Sequence, residues 1–255
     1  NLNQRNGAFA QTPLAAPVFL NSVPKCGTHL IRNIMRMFVP VAQQYHATFV
    51  QHPLLRQHGP VAFDTRQPKL SWGHLLFSDD AAIMLRPCRH ILMVRDPYDW
   101  VLARARFFAS ENFDGAMDNL KGDRIDVNDL LNLMIFGIHQ KAPTLEEIFR
   151  FNAVAWLGTT TYLVRYEEMV AHLKKLESKD AEFYFAKLFH ACGIDAPADW
   201  RERVAIGSDR KQSATARENL AGGEKDLPNE LPDMQKRLVN YAAPGLRELL
   251  GYGPA

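Results

Sequence analysis

Apolar residues along this chain fall into short runs, and most runs are followed by a stretch with helical spacing of apolar positions. The runs predict strands at 16–22, 69–73, 90–94 and 160–164, with a short extended stretch near 47–50. The helical spacing predicts helices over 28–38, 79–85, 97–110 and 232–250, two or three within 127–158, and others across 167–193. Because strands that alternate with helices form parallel sheets with helical crossovers, the pattern predicts an α/β domain.

The loop after the first predicted strand carries the clearest chemical signal. Residues 24–30 read PKCGTHL and lead into a helix expected to begin at or near Thr28. Unpaired backbone N–H groups and the helix dipole favour an anion there, Lys25 adds a positive charge, and Gly27 allows a ligand to approach closely. The lysine does not precede a Ser or Thr, so the loop is not a Walker A motif. We predict a phosphate or sulfate site; the alternative is an ordinary βα turn with a chance lysine.

A second candidate anion site follows the strand at 90–94. Residues 95–97 read RDP, in which Asp96 can cap a helix and Pro97 suits the first helical position. Arg95 therefore lies at the carboxyl end of a strand, which is where α/β sheets bind ligands. Its guanidinium offers a bidentate fork for a phosphate group.

The two motifs resemble those of the sulfotransferases that use 3′-phosphoadenosine 5′-phosphosulfate (PAPS). Residues 24–29 resemble the family's 5′-phosphosulfate loop, and residues 94–108, VRDPYDWVLARARFF, resemble its 3′-phosphate motif. Weaker similarities follow in the expected order: WGH at 72–74, LVRYEE at 163–168, and an ending over 231–252 like that of bacterial members.

The resemblance spans about residues 16–253 and implies a divergent bacterial member. It implies one sulfotransferase domain with a central parallel β-sheet flanked by helices, the P-loop NTPase-like sulfotransferase architecture. Residues 1–15 are expected to be a flexible lead-in.

Each motif of the family implies a role for a residue of this chain. The resemblance implies PAPS as the sulfuryl donor and no metal. It implies that Lys25 is the cation at the bridging oxygen, that Thr28 and the loop backbone hold the 5′-phosphate, and that Arg95 anchors the 3′-phosphate. Tyr166 is the candidate adenine contact. The full set of implied PAPS-binding residues is Lys25, Cys26, Gly27, Thr28, His29, Arg95, Ala103, Tyr166 and Arg217.

His74 is the candidate catalytic base, because it follows a predicted strand and an imidazole titrates close to neutral pH. With nine histidines in the chain, a solvent-exposed or capping histidine is the alternative. Tyrosyl-protein and glycan branches of the family often use a Glu after the first helix, but residues 38–63 contain no Asp or Glu. His46, His52 and His58 in that stretch are the further candidates.

Four positions depart from the family's motifs. Leu30 stands where the family often has a Trp near the adenine, and Trp72 stands where cytosolic members have a lysine. Ala103 stands where the family has a serine, so one hydroxyl contact to the 3′-phosphate is lost, and Arg104 or Arg106 could replace it. His29 stands where a second Thr or Ser is usual.

The polar segment 207–229 has too few apolar residues to pack by itself. Members of the family have a basic loop here that closes over the nucleotide, so we expect a ligand to order this segment, with plain disorder as the alternative. Arg217 is the preferred contact to the 3′-phosphate, and the pair Arg210-Lys211 is the alternative.

Composition narrows the classes of function and of environment. A net charge of +2 is too small to indicate a nucleic-acid-binding protein. No apolar run reaches the ~18 residues of a membrane span. The three cysteines show neither metal nor disulfide spacing, which favours a reduced, cytoplasmic setting. Beside Lys25, the Cys26 thiol should have a lowered pKa, although a requirement for a small residue explains Cys26 as well.

The resemblance implies transfer of a sulfuryl group from PAPS to a hydroxyl or amine, with adenosine 3′,5′-bisphosphate (PAP) as the product. The expected acceptor is a carbohydrate or a small metabolite. One alternative is a P-loop-like small-molecule kinase, for which the Lys-Ser/Thr pair of Walker A is absent. Such a kinase also needs a carboxylate for Mg²⁺, and Asp96 is better explained as a helix cap. The other is a non-catalytic nucleotide-binding relic, which Ala103 and Trp72 favour and the joint presence of Lys25, Arg95 and His74 opposes.

Overall fold

A central sheet of parallel strands organises the chain. The computed structural model describes residues 1–110, 117–209 and 226–253. The sheet has five strands in the order β2-β3-β1-β4-β5, and every neighbouring pair is parallel. They are β1 (Val18–Ser22), β2 (Val50–Gln51), β3 (Leu70–His74), β4 (Arg89–Val94) and β5 (Tyr162–Arg165). This arrangement confirms the predicted α/β class with a central parallel sheet.

Helices connect the strands and pack on both faces of the sheet. The helices of the described residues are α1 (Leu2–Asn6), α2 (Thr28–Arg36), α3 (Leu55–Ala62), α4 (Asp79–Leu85), α5 (Pro97–Ala109), α6 (Val127–Phe136), α7 (Leu145–Asn152), α8 (Tyr166–Leu173), α9 (Lys179–Ala191), α10 (Trp200–Ser208), α11 (Asp233–Ala242) and α12 (Leu246–Leu249). Short 3₁₀ turns lie between several of them.

Strand β1 lies at the centre of the sheet, and every one of its residues is buried. Leu20 belongs to one hydrophobic core, together with Ile34 of α2. Phe19 belongs to the core on the other face, together with Trp100 of α5. Because successive side chains of a strand point to opposite faces, a fully buried strand is typical of a parallel sheet covered on both sides.

The edge strand β2 lies very close to β3. Its residues Val50 and Gln51 pair with Gly73 and His74. A Cβ atom on Gly73 would overlap the carbonyl oxygen of Val50. The glycine therefore allows the edge strand to lie directly beside His74.

The first fifteen residues differ from the expected flexible lead-in. They include α1, and Leu2 and Leu14 are buried. The Asn6 side-chain amide donates to the carbonyls of Arg36 and Val39 at 2.6 and 3.1 Å. These contacts tie the segment to the end of α2.

Two helical regions also differ from the predicted elements. Helix α3 lies between the extended stretch near 47–50 and the strand at 69–73, where the sequence pattern predicts no helix and where Pro60 stands inside the helix. The single helix predicted over 232–250 is divided into α11 and α12. The division falls at Pro244-Gly245. Gly245, which immediately precedes α12, has a φ of 72°, a value that favours glycine.

Candidate active site

The loop between β1 and α2 has the shape expected of an anion cradle. Lys25 and Gly27 have φ values of 68° and 94°, and α2 begins at Thr28 as predicted. The indole N–H of Trp100 donates to the carbonyl of Pro24 at 2.6 Å and holds the loop from the side of α5. Among the described residues, no side chain caps the start of α2. The first N–H groups of the helix are therefore available to an anion.

Tyr166 brings the two predicted anion sites together. A Cβ atom on Gly27 would stand 2.5 Å from Tyr166 Cδ2, so the ring lies against the loop. The guanidinium carbon of Arg95 lies 4.6 Å from the centre of the same ring. Gly27, Tyr166 and Arg95 therefore form one group at the carboxyl ends of β1, β4 and β5.

The guanidinium of Arg95 has spare hydrogen-bonding capacity. Its Nε is buried and has no hydrogen-bond partner within the described part of the chain. The nearest carboxylate oxygen, Glu167 Oε1, is 3.8 Å from this nitrogen. A buried donor without an acceptor is costly, so this position favours an anionic ligand.

A chain of polar contacts joins the loop to His74. Thr28 Oγ1 lies 2.5 Å from Ser22 Oγ, which lies 3.1 Å from His74 Nδ1. The backbone carbonyl of Ser22 is 2.9 Å from the same nitrogen. Because a carbonyl can only accept, we assign the proton to Nδ1, which leaves Nε2 with a free lone pair.

The surroundings of His74 keep its imidazole neutral. Burial is the main cause and lowers the pKa of His74 to about 4, with smaller effects of Lys25 and His29 in the same direction. The Ser22 carbonyl opposes the shift. At neutral pH the ring is therefore in the form that accepts a proton.

The three other candidate histidines have different surroundings. His58 Nδ1 lies 2.6 Å from the hydroxyl of Tyr45. His46 meets the ring of Trp72 edge-on, with centroids 5.7 Å apart. His52 is exposed at the start of a short 3₁₀ turn. Of the four candidates, His74 is the one with hydrogen-bond contacts to Ser22 and, through it, to the loop.

One face of α5 adjoins the two anion sites. Ala103, Arg106 and Phe107 are spaced three and four residues apart and so share this face. The ammonium of Lys25 lies 2.9 Å from the centre of the Phe107 ring. Burial and the nearby charge of Arg95 lower the pKa of Arg106. Arg106 is thus the arginine of α5 that lies close to Arg95.

Arg104, the neighbouring arginine of α5, instead makes hydrogen bonds within the fold. It is buried, and its two terminal nitrogens each donate at 2.8 Å, one to the carbonyl of Met134 and one to that of Pro143. These two contacts oppose the alternative in which Arg104 replaces the lost serine contact, and they favour Arg106.

Residues near the end of the chain hold Arg95 and Asp96 in place. Arg247 forms a bidentate ion pair with Asp96, with N–O distances of 3.1 and 2.9 Å. The hydroxyl of Tyr252 donates to Glu167 Oε2 at 2.7 Å, while Glu167 Oε1 accepts from the backbone N–H of Asp96 at 3.2 Å. Sequence reasoning missed this network, for which the only signal was the family-like ending of the chain.

The Cys26 thiol does not have the lowered pKa expected from the sequence. Burial raises its pKa well above the ordinary value, against a smaller lowering effect of Arg95. The predicted lowered pKa is wrong, and the need for a small residue in the loop explains Cys26 better. Arg217 and the pair Arg210-Lys211 lie outside the described residues.

The described ranges 1–110, 117–209 and 226–253 contain neither a candidate metal-binding group nor a candidate membrane-spanning helix. No group of three or more His, Cys, Asp or Glu side chains in these ranges could hold a metal ion. None of the helices described there is long and apolar enough to cross a membrane.

Comparison with known proteins relates this geometry to a fold. The crystal structure of mouse sulfotransferase SULT7A1 complexed with PAP matches 98% of this chain and 88% of its own chain, with a TM-score of 0.58 and 15% sequence identity. No protein-family model matches the sequence. No curated protein matches it either. The parallel sheet, the loop after β1 and the flanking helices therefore make up a sulfotransferase fold.

Proposed function

We propose that this protein is a PAPS-dependent sulfotransferase that acts on a hydroxyl or amine of a carbohydrate or small metabolite. The observation that carries the proposal is the contact chain Thr28–Ser22–His74, which links the candidate base to the candidate 5′-phosphate loop. Arg95 supports it from the other side of the loop, through Tyr166 and Gly27.

The donor site would consist of the β1–α2 loop and the groups around Tyr166. The backbone N–H groups of residues 27–29 and the Thr28 hydroxyl would hold the 5′-phosphate, because the Cys26 N–H already donates to the carbonyl of Val23 at 3.2 Å. Arg95 with Arg106 would hold the 3′-phosphate. Tyr166 offers an aromatic face to the adenine. PAPS supplies the sulfuryl group, whose transfer depends on positioning and on stabilisation of spread charge. Lys25 supplies a cation for the charge that develops on the leaving phosphate.

His74 would remove the proton from the acceptor. Its Nδ1–H is held by the Ser22 carbonyl, so Nε2 is the atom that accepts the proton. Ser22 also contacts Thr28 of the donor loop. The base is thereby oriented by the same strand end that leads into the donor site.

Ligand-dependent melting tests the donor. We expect PAP to raise the melting temperature of the protein, and Arg95→Gln to remove most of this shift. Stabilisation by ATP–Mg²⁺ but not by PAP would indicate the kinase alternative.

Turnover of labelled PAPS with a panel of carbohydrate and metabolite acceptors tests the reaction. Lys25→Ala and His74→Ala should each lower the rate at least about a hundredfold, in the range expected for a catalytic acid, base or charge-stabilising group. Rates unchanged in both variants would contradict the site. A protein that binds PAP but turns over no PAPS would be the non-catalytic relic.

We also propose a reduced, cytoplasmic setting. Cys26, Cys88 and Cys192 are all buried free thiols. Mass spectrometry of the unreduced protein from its native source should find three thiols, and a disulfide would contradict the proposal.

A further inference from the structure

The amino-terminal quarter of the chain has no acidic side chain. The first Asp or Glu is Asp64, although acidic and basic residues nearly balance in the whole chain. The basic residues before Asp64 are Arg5, Lys25, Arg32, Arg36 and Arg56. Arg56 pairs with Asp80 from outside this region. Positive charge is thus concentrated on the part of the fold that contains α2 and the edge strand β2.

Within the described ranges of the chain, Arg32 of α2 has no anionic partner. Its guanidinium lies over the ring of Trp72, 4.0 Å from the ring centre. Its Nε is buried and has no hydrogen-bond partner among the residues that the structure describes. Burial, followed by repulsion from Arg36, lowers the pKa of Arg32 to about 10, so the group remains charged at neutral pH. A partly buried cation of this kind is stabilised by an acceptor with negative charge.

The neighbours of Arg32 do not supply that charge. Arg36 donates to the neutral side-chain oxygens of Gln44, at 2.8 Å, and of Asn3. His46 packs edge-on against Trp72, and burial together with Arg36 and Arg32 lowers its pKa. The groups described around the guanidinium are therefore cationic, neutral or aromatic.

This position adjoins the candidate base. Trp72 precedes His74 by two residues on β3, so the two side chains share one face of the strand, about 7 Å apart along it. Arg32 follows His29 by one helical turn on α2. The ring of Phe49 lies between His74 of β3 and His29 of α2, with its centre 4.8 Å from that of His74 and 6.3 Å from that of His29.

We propose that Arg32 binds a carboxylate or sulfate group of the acceptor while a hydroxyl of the same acceptor lies at His74. The inference rests on the proposed sulfotransferase function and narrows its substrate class to an acidic oligosaccharide. The spacing suits groups on the same or on adjacent sugar rings, and the partly buried ring of Phe49 offers an apolar contact for a sugar ring. The absence of acidic residues from position 1 to 63 reduces repulsion of such a polyanion.

Calorimetric titration of the PAP-loaded protein tests the inference. The three probes are an oligosaccharide of alternating glucuronic acid and N-acetylglucosamine, its carboxyl-reduced neutral form, and that neutral form after chemical sulfation. We expect at least one acidic probe to bind about tenfold more tightly than the neutral probe, as for one charge-assisted contact. Whichever acidic probe shows the preference identifies the anionic group.

Substitutions at residue 32 assign the preference to the guanidinium. Arg32→Gln should remove most of the tenfold preference, and Arg32→Lys should retain part of it. Arg86→Gln, which removes the same charge from an exposed position at the end of α4, should leave it unchanged. PAP affinity should be the same in all four proteins.

Three results would overturn the inference: equal binding of neutral and acidic probes, no binding of either acidic probe, or an Arg32→Gln variant that keeps the preference. A loss of PAP affinity in Arg32→Gln as large as its loss of affinity for the acidic probe would also overturn the inference, because Arg32 would then have a structural role. Failure of the wild-type protein to bind PAP would instead contradict the proposed function itself.

Discussion

The ring of Tyr166 lies against the backbone of Gly27 so closely that a methyl group on residue 27 would stand 2.5 Å from Tyr166 Cδ2. The β1–α2 loop and the start of α8 are thus fitted to each other. The fit depends on a glycine with a φ of 94°, a value that other residues rarely adopt.

Replacing Gly27 with alanine should therefore damage both folding and ligand binding. The positive φ costs about 1 kcal/mol for alanine, and displacement of Tyr166 adds to this. We expect a lower free energy of unfolding in urea and at least about tenfold weaker PAP binding. Gly158→Ala is the matched control, because its φ is 76° but nothing lies within 4 Å of the new Cβ. Equal losses of stability in the two variants would show that Tyr166 does not constrain the loop.

The hydrogen bond from Tyr252 to Glu167 predicts an effect on nucleotide binding from the far end of the chain. Tyr252→Phe removes this bond and leaves Glu167 less firmly held beside Arg95 and the Asp96 backbone. We expect about threefold to tenfold weaker PAP binding, which corresponds to one hydrogen bond. Tyr241→Phe is the control, since Tyr241 is 80% exposed on α11. PAP affinity that is unchanged in Tyr252→Phe would refute a positioning role for this tie.

The two arginines of α5 should have opposite phenotypes. Arg104→Gln removes charged donors from the carbonyls of Met134 and Pro143 and should lower the free energy of unfolding by about 3 kcal/mol, with little effect on PAP affinity in the protein that still folds. Arg106→Gln should weaken PAP binding several-fold and change stability by less than about 1 kcal/mol. Urea unfolding and PAP titration of both variants measure the contrast. A reversed pattern would show that Arg104, not Arg106, contacts the nucleotide.

The low pKa of His74 predicts the pH dependence of the reaction. Because the base is active when neutral, the rate should be independent of its protonation from neutral pH down to about pH 5, then fall as the pH passes through about 4. Initial rates with PAPS from pH 3.5 to 8 measure this. A midpoint near 6.5, the ordinary value for histidine, would contradict the arrangement around His74.

The same shift affects stability. The unfolded chain binds a proton at His74 near pH 6.5, whereas the folded protein does so only near pH 4. The free energy of unfolding should therefore be largest above pH 6.5 and decrease as the pH falls towards 4. His74→Asn should show a smaller decrease over that range, as measured by urea unfolding. An identical decrease in both proteins would show that His74 does not contribute.

How far the sequence predicts this molecule depends on how local each feature is. The loop after β1 and Asp96 as the cap of α5 are encoded within a few residues, so the strand, cap and helix could all be predicted. The contacts of Arg104 could not, because they join residues 30 and 39 positions apart, and two adjacent arginines look alike in sequence.

Features that join distant parts of the chain were correspondingly missed. Arg247 is 151 positions from Asp96, and Tyr252 is 85 positions from Glu167, so no periodicity or spacing indicates either pair. Arg32 was overlooked for the same reason, since its stacking on Trp72 depends on how α2 lies across β3.

The close approach of β2 to β3 at Gly73 has a consequence for how this fold can diversify. Gly27 and Arg95 of the candidate nucleotide site follow β1 and β4, which are paired on both sides, whereas the wall beside His74 is a two-residue strand at the edge of the sheet with one neighbour. Replacement of the segment that carries this strand would alter few of the pairings in the rest of the sheet. Under the proposed function, the acceptor-binding wall could therefore be exchanged at this edge of the sheet while the donor site is retained.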